Sequence, residues 1–325
     1  MFCINSKSSD PYYNLAAEEY FLKKYDDNIF ILWVSKPAVI VGKHQNTLAE
    51  INYNYVNSNE ILVARRLSGG GTVYHDYGNL NFTWILNGEA GKLVDFKKFI
   101  DPIINFLKMN KINATYGGRN DILVNNLKIS GNAEHIYKNR TLHHGTLLYN
   151  ANLTNLREVL KIDKSKYLDK AVKSVPHPVT NLQEQTDKKP AFEKFRKELF
   201  NYILQLDNSN KQYNLSDSDK KNIKTLRKEK YINWDWIFGY SPDYKYVREI
   251  KTGKYPVKLQ ISVSKGIITD LILKNIKNKE LKENIKSCLI NVKHEEKEIT
   301  GNFINSKIQS VYKDFDIISF VKQLF

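Results

Sequence analysis

Three consecutive glycines, Gly69–Gly71, follow the apolar segment Ile61–Ala64 and the pair Arg65-Arg66. Glycine weakens the interior of a helix or a strand, so this segment must form a loop that leaves a strand. Glycines also bring backbone N–H groups close to a ligand, and such loops bind phosphate or carboxylate oxygens. A neighbouring arginine can bind the same anion through two hydrogen bonds. The spacing lacks the features of a P-loop or a Rossmann fingerprint, so either another kind of anion-binding loop or a flexible surface turn is expected.

The composition is that of a globular protein with a basic balance. The 325 residues suffice for one large domain with a small one, or for two medium domains. The net charge of +15 attracts nucleic acid, phosphate ligands or an acidic protein, although a lysine-rich surface without a single partner fits as well. Two cysteines exclude a disulfide scaffold. Since neither a signal peptide nor an apolar run of about 18 residues is visible, we expect a cytoplasmic protein.

Helical and strand patterns interleave irregularly along the chain, which predicts an α+β fold. The first helix is predicted over residues 14–24, with Asn14 as its N-cap. Two apolar segments, 30–34 and 38–42, predict strands on either side of a turn at Lys36-Pro37.

The pattern changes near residue 245. Beyond it, alternating residues over 257–263 and 266–273 predict a β-hairpin. We therefore expect two domains, 1–245 and 246–325.

Two further segments carry side chains suited to a binding site. Lys128 begins the sequence Lys-Ile-Ser-Gly-Asn-Ala, where small residues leave room for a ligand, although a solvent-facing lysine fits this segment as well. His143 and His144 are adjacent, and adjacent residues of a strand point to opposite faces, so the pair is poorly arranged to bind one metal ion. We expect one histidine to pack against a pocket and the other to face outward.

These motifs, taken in order with the segments around them, resemble the lipoate–protein ligase A family. The matching segments are Trp33 to Asn46 with Glu50-Ile51-Asn52, Arg65 to Trp84, Arg119-Asn120-Asp121 with Lys128 to Ala133, His143 to Tyr149, and Asn233 to Trp236 with Gly239 to Pro242. The resemblance covers essentially the whole chain. It implies a biotin/lipoate ligase-like catalytic domain, similar to class II synthetases, with mixed and antiparallel sheets and flanking helices. A small α+β C-terminal accessory domain is implied to follow.

The resemblance also implies a reaction. Lipoate and ATP give lipoyl-AMP and pyrophosphate in the presence of Mg²⁺, and the lipoyl group then passes to a lysine of an apo lipoyl-domain protein. The implied acceptors are the glycine-cleavage H protein and the acyltransferase subunits of 2-oxo acid dehydrogenases. We expect a monomer that binds neither nucleic acid nor a membrane.

The family's motifs also imply site residues, position by position. Those implied to bind ATP or the adenylate are Arg66, Gly71, Thr72, Val73, Tyr74 and Lys128. Those implied to bind lipoate are Arg66, Gly70, Gly71, Lys128 and His144, and Lys128 is also the implied catalytic residue. Leu15, Val73 and His144 are expected to line the acyl tunnel. Asp121 is the candidate Mg²⁺ ligand, because a hard cation prefers carboxylate oxygens.

One segment departs from the family's pattern. Pro176-His177-Pro178 stands where the family has Arg-Ser-Arg. Two positive charges are therefore missing next to the expected adenylate, which leaves nucleotide affinity, acyl specificity and acceptor choice open.

Three alternatives to a ligase remain. A lipoyl- or octanoyltransferase of the same fold forms an acyl-cysteine, because a thiolate takes the acyl group from a carrier, but Cys3 and Cys288 lie far from the motifs. An enzyme that uses only preformed lipoyl-AMP would tolerate the missing arginines. A nucleic-acid-binding protein would need aromatic residues interleaved with a clustered basic face, and the sequence shows no such cluster.

Overall fold

The computed structural model describes residues 1–88, 95–118, 120–252, 255–306 and 308–325. The chain divides into two compact units. The first unit consists of Met1–Lys43, Ile61–Arg157 and Ser174–Asn233, and the second of His44–Glu60, Glu158–Lys173 and Trp234–Phe325. A boundary between functional domains near residue 245 stays a prediction.

Strands and helices alternate irregularly along the described residues. The strands are β1 Phe2–Asn5, β2 Ile29–Val34, β3 Ala38–Val41, β4 Leu62–Arg65, β5 Val73–His75, β6 Asn79–Asn87, β7 Ala114–Gly117, β8 Asp121–Val124, β9 Leu127–Tyr137, β10 Arg140–Leu148, β11 Tyr167–Asp169, β12 Lys211–Gln212, β13 Tyr244–Thr252, β14 Tyr255–Ser264 and β15 Ile267–Lys274. The α-helices are α1 Pro11–Lys24, α2 Tyr53–Ser58, α3 Phe96–Met109, α4 Leu153–Val159, α5 Phe192–Gln205, α6 Asp217–Leu226, α7 Lys279–Leu289, α8 Glu296–Asn305, α9 Ile308–Val311 and α10 Ile317–Lys322. Short 3₁₀ turns occur at Thr47–Ala49, Lys164–Lys166 and Leu182–Glu184, and π-helical turns at Arg227–Tyr231 and Asp235–Gly239.

The first unit contains a large and a small sheet. The large sheet has the order β12-β1-β2-β6-β10-β9-β8-β7, and the small one the order β4-β3-β5. β1 is parallel to both its neighbours, and the remaining pairs of the large sheet are antiparallel. In the small sheet β3 is parallel to β4 and antiparallel to β5. Mixed sheets with flanking helices confirm the predicted α+β class, and the strands on either side of Lys36-Pro37 exist but belong to different sheets.

The two faces of the large sheet differ in chemistry. Opposite residues of an antiparallel pair share a face, so His144 and Thr83 lie on one face and His143 and Trp84 on the other. The second face is apolar, and buried side chains of α3 and α5, such as Phe99, pack with it into one hydrophobic core. The face of His144 also carries buried polar side chains, among them Thr83.

Helix α1 begins at Pro11, three residues before the predicted start. The Asp10 side chain accepts hydrogen bonds from two backbone N–H groups at the start of the helix. Proline is favoured at the first helical position, where its missing N–H needs no partner. The prediction of Asn14 as the N-cap is therefore wrong: Asn14 lies inside the helix, where its amide donates to two backbone carbonyl groups outside it.

The second unit contains one sheet with the order β11-β13-β14-β15. Its hydrophobic core includes side chains from this sheet and from α7, α8, α9 and α10. The predicted hairpin is confirmed as β14 and β15. Lys265 and Gly266, which connect the strands, have φ angles of +50° and +77°, as in the tight turns that match strand twist. A Cβ at Gly266 would lie 2.5 Å from a ring carbon of Trp234, so this position also needs glycine for space.

Candidate active site

The glycine loop between β4 and β5 folds around the side chain of Arg66. Arg66 Nη2 donates to the carbonyl oxygens of Gly69 and Gly71, each at 2.6 Å, and Nη1 donates to that of Ile40 at 3.0 Å. Gly70 has a φ angle of +82°, and a Cβ there would lie 3.2 Å from Arg66 Nη2. A residue with a side chain would be strained in this conformation. The loop therefore holds a guanidinium group at its centre.

The two neighbouring arginines have different roles. Burial lowers the pKa of Arg66 to about 10, so its guanidinium stays charged at neutral pH. The side chain of Arg65 is fully buried, and its Nη1 atom donates to the carbonyl oxygens of Gly42 and Lys43. Arg65 thus fixes the backbone that follows β3, whereas Arg66 supplies the charge of the glycine loop.

Lys128 lies near the start of β9 and forms an ion pair. Its Nζ atom is 2.8 Å from Oδ1 of Asp121, whose side chain is largely buried. A Cβ at Gly131 would lie 3.2 Å from Lys128 Nζ, so glycine at this position leaves space for the ammonium group. Oδ2 of Asp121 is 3.8 Å from Nδ1 of His177, which belongs to the segment that departs from the family's pattern. The ammonium group is therefore held at a defined position beside a carboxylate.

The segment 174–180 borders both the glycine loop and the strand of Lys128. Ser174 Oγ accepts a hydrogen bond from the backbone N–H of Thr72 at 2.8 Å. The backbone N–H of Lys128 donates to Pro178, and its carbonyl accepts from Thr180, both at 3.0 Å. The glycine loop also reaches β9 directly, since a Cβ at Gly70 would lie 3.8 Å from Cβ of Ala133. The loop of Arg66 and the strand of Lys128 are therefore neighbouring elements of the first unit.

His144 faces this site, and both of its ring nitrogens have partners. Nε2 is 2.6 Å from Ser68 Oγ, and Nδ1 is 3.1 Å from Oε2 of Glu18. Ser68 and Glu18 are buried and were not predicted as site residues. The available signal was Glu18-Glu19 on α1, because two acids follow Leu15-Ala16-Ala17 where an apolar helix face would be expected. Both ring nitrogens of His144 are therefore engaged by protein groups.

His143 does not face outward, so that expectation is wrong. It is fully buried on the apolar face, where its ring stacks on Phe99 at a centroid distance of 4.7 Å. Its ring nitrogens lie 2.9 Å from Glu134 Oε1 and 3.1 Å from Asn132 Oδ1. The outward position is unavailable because α3 covers this face of the sheet.

The remaining predicted residues lie on the elements that bound this region. Val73 and Tyr74 are in β5, and the buried Tyr74 hydroxyl accepts a hydrogen bond from Asn155 at 3.2 Å. Leu15 is buried in α1, one turn before Glu18. Arg119 lies outside the described residues. The roles assigned to all these residues stay predictions.

His75, at the end of β5, is a buried histidine whose ring packs against Trp33 at a centroid distance of 5.5 Å. Within the part of the chain that the structure describes, neither ring nitrogen has a hydrogen-bond partner. Burial together with the nearby charge of Arg66 lowers the pKa of His75 to about 3. A neutral imidazole therefore lies close to the guanidinium group and adds no charge to the site.

Within the described ranges, no three or more His, Cys, Asp or Glu side chains are grouped so that they could hold a metal ion. Asp121 offers a single carboxylate. Among the helices that the structure describes, none has both the length and the apolar character to cross a membrane.

Comparison with known proteins assigns the chain to a class of enzymes. The family of the lipoyl protein ligase A/B catalytic domain matches residues 10–204, more than half of the chain. Lipoate–protein ligase 1 of Staphylococcus aureus is 40% identical over 269 residues, which cover 82% of each chain. The chain therefore belongs to the lipoate–protein ligase A family, as its motifs predict.

Solved structures agree with this assignment. The structure of P. falciparum LipL1 in complex with lipoate has a TM-score of 0.63 and 27% identity, and the match covers 94% of both chains. A lipoate–protein ligase A bound with ATP has a TM-score of 0.63 at 22% identity and covers 74% of this chain and 98% of its own. The second likeness shows a shared fold, which confirms the predicted ligase-like architecture.

Proposed function

We propose that this protein activates lipoate with ATP and transfers the lipoyl group to a lysine of a lipoyl-domain protein. The observation that supports this most is the placement of two cations, Arg66 in a glycine loop and Lys128 on the neighbouring β9, in a chain of the lipoate–protein ligase A family. The relatives are named for this activity, and the solved structures include one with lipoate and one with ATP.

The first half-reaction joins two anions. A carboxylate oxygen of lipoate attacks the α-phosphorus of ATP, the bond to the β-phosphate oxygen breaks, and pyrophosphate leaves. The two negative reactants repel each other, so fixed positive groups lower the barrier by neutralising them where they meet. Arg66 keeps its charge despite burial, and Lys128 is held by Asp121. Residues 71–74 are the proposed contacts to the nucleotide.

The second half-reaction moves the acyl group. The amine of the acceptor lysine attacks the carbonyl carbon of lipoyl-AMP, the bond from that carbon to the phosphate oxygen breaks, AMP leaves and the amine loses a proton. Negative charge develops on the carbonyl oxygen in this step, and Lys128 is the residue proposed to stabilise it. The same ammonium group would thus act in both half-reactions.

Asp121 would hold Mg²⁺, because this ion is commonly bound by one or two carboxylates together with substrate phosphates. The ion would neutralise charge on the phosphates when it is bound. Lys128 Nζ already contacts Oδ1 of Asp121, so the ammonium group has to share this carboxylate with the metal or leave it.

The cysteines favour a ligase over an acyl-cysteine transferase. Cys3 is fully buried in β1, and burial raises the pKa of its thiol to about 11. Cys288 is buried as well, and burial also raises its pKa. A nucleophilic thiolate is scarce at neutral pH in both positions. The transferase reading therefore has no suitable nucleophile in either cysteine.

The remaining parts of the proposal concern the setting of the reaction. Candidate acceptors are the apo forms of the glycine-cleavage H protein and of the acyltransferase subunits of 2-oxo acid dehydrogenases. We place the reaction in the cytoplasm, assign it to a monomer, and assign catalysis to residues 1–245 with 246–325 as an accessory domain.

Mass spectrometry of each apo acceptor after incubation with the protein, lipoate, ATP and Mg²⁺ tests the proposal. The expected result is the mass of one lipoyl group on the acceptor lysine, lost when ATP is omitted and restored by lipoyl-AMP. If the acceptor is modified with lipoyl-AMP but not with ATP and lipoate, the protein is a lipoyl-AMP-dependent transferase and not a ligase. If the acceptor is modified from an octanoyl carrier without ATP, the protein is an octanoyltransferase.

A further inference from the structure

A chain of hydrogen bonds runs beneath the glycine loop, entirely within the first unit. Arg66 Nε donates to Ser68 Oγ at 3.0 Å, and Ser68 Oγ is 2.6 Å from His144 Nε2. His144 Nδ1 is 3.1 Å from one oxygen of Glu18, and Thr83 donates to the other oxygen at 2.6 Å. The chain links α1, β6 and β10 to the guanidinium group of the site.

The hydrogen bonds from Arg66 to Glu18 can all be assigned a donor and an acceptor. The guanidinium can only donate, so Ser68 accepts from Arg66, and the Glu18 carboxylate can only accept, so Nδ1 of His144 donates to it. In the neutral ring the proton is then on Nδ1, so Nε2 accepts the O–H of Ser68. The Glu18 carboxylate receives hydrogen bonds from both sides, and its position fixes the tautomer of His144.

Ser68, His144 and Glu18 have the connectivity of a hydrolase triad, but their burial excludes that role. Ser68 is fully buried, and its oxygen already accepts from Arg66. A nucleophile has to reach its substrate, whereas this hydroxyl lies between two protein groups. The connectivity instead fixes the base of the glycine loop to the sheet and to α1.

We propose that Glu18 is a positioning residue of the active site, which orients Arg66 and the glycine loop through His144 and Ser68. The charge of Arg66 acts on the reacting anions only from a fixed place, and small displacements of such groups cost large factors in rate. Loss of the Glu18 carboxylate removes an acceptor for the Nδ1–H of His144. The imidazole can then place its proton on Nε2, and Ser68 loses the acceptor for its O–H. The role assigned to Glu18 rests on the proposed ligase reaction.

The neighbouring Glu19 provides a matched control. It is as buried as Glu18 and lies on the same helix, but its carboxylate accepts hydrogen bonds from Lys23, Lys230 and Tyr231. Glu18→Gln and Glu19→Gln each replace one buried carboxylate by an amide of the same shape. A general effect of α1 on the fold should therefore appear in both variants, and an effect on Arg66 only in Glu18→Gln.

The kinetic test measures lipoate-dependent pyrophosphate release by the full-length chain, with thermal unfolding as the check of folding. We expect Glu18→Gln to lower kcat/KM on the order of 10- to 100-fold, and Glu19→Gln to change it less than about threefold at a similar loss of Tm. Equal activity losses in the two variants would overturn the role of Glu18. A wild-type protein that never releases pyrophosphate would instead overturn the proposed function.

A spectroscopic test does not depend on turnover or on the variants folding. In the ¹⁵N spectrum of histidine-labelled wild-type protein, we expect His144 in the Nδ1–H tautomer and its redistribution toward Nε2–H in Glu18→Gln. An Nε2–H tautomer of His144 in the wild type would contradict the proposed direction of the chain. Covalent labelling of Ser68 by a fluorophosphonate would show a nucleophile instead and would equally overturn the positioning role.

Discussion

His143 and His144 are neighbours in one strand, yet they belong to regions with opposite requirements. His144 lies on the polar face, between a serine and a carboxylate that lead to Arg66. His143 lies on the apolar face among aromatic rings and is fully buried. One residue type therefore serves the site on one side of the sheet and the core on the other, because the pleat turns successive side chains to opposite faces.

The two histidines also need opposite tautomers. The amide nitrogen of Asn132 donates to Asn120 and Ser130, which turns its oxygen toward His143 Nε2 as an acceptor. With its proton on Nε2, His143 presents Nδ1 to Glu134 as an acceptor, which fits the protonated form of that carboxyl group. Burial and the charge of Asp95 raise the pKa of Glu134 to about 7, in agreement with this assignment. His143 thus faces a carboxyl group whose protonated form can donate to it, whereas His144 faces a carboxylate that accepts from it.

The largest expected effect is a loss of stability on the apolar face. Phe99→Ala removes a buried ring stacked on His143 and should lower the free energy of unfolding by about 3–5 kcal/mol. Urea unfolding measures this loss. Met109→Ala on the same helix, at an exposed position, should stay within about 0.5 kcal/mol of the wild type. Comparable losses in both variants would mean that α3 does not cover the core as described.

The next effect concerns the rate of the reaction at the site. Lys128→Ala removes a partly exposed ammonium group and should slow lipoate-dependent pyrophosphate release by about 10²–10³-fold. Lys108→Ala, which removes an exposed lysine of α3, is the control and should keep full activity. Pyrophosphate release at the normal rate in Lys128→Ala would show that Lys128 does not act in the first half-reaction.

The pH dependence of the free energy of unfolding tests whether the buried Glu134 carboxyl group is protonated. Glu134 has a pKa raised from 4.5 to about 7, so the folded state binds this proton more tightly than the unfolded state. Its stabilising effect is complete below pH 4.5 and disappears as the pH rises through 7. Between these values the wild type should lose about 3 kcal/mol relative to Glu134→Gln, whose amide can donate to His143 at every pH. Parallel stability curves for the two proteins would exclude the protonated carboxyl.

The smallest effect concerns the segment beside the glycine loop. Ser174→Ala removes the acceptor of the Thr72 N–H, a bond worth about 1 kcal/mol, and should raise the KM for ATP by roughly fivefold. Initial-rate measurements at varied ATP give this value, with Ser209→Ala at an exposed position of the same unit as the control. An unchanged KM for ATP would show that the segment 174–180 does not contribute to nucleotide binding.

Local patterns predicted much of the fold. The hairpin of β14 and β15 follows from alternation and a turn that needs glycine, and both determinants lie within a few residues. The start of α1 was missed because Asn14 and Asp10 are both good caps, and only the structure shows that Asn14 has partners inside the fold. Strands β2 and β3 were each predictable, but their membership of two different sheets depends on partners distant in sequence.

The sequence by itself determined the glycine loop, its arginine, the lysine of β9 and the family to which they point, because each lies in a short motif whose residue types restrict its conformation. Only the tertiary structure decided that Glu18 and Ser68 join His144, and that His143 turns into the core. Hydrogen bonds of this kind connect α1, a loop and β10 across more than 100 residues of chain. No local pattern specifies such a contact, since it exists only once the sheet and the helix have packed.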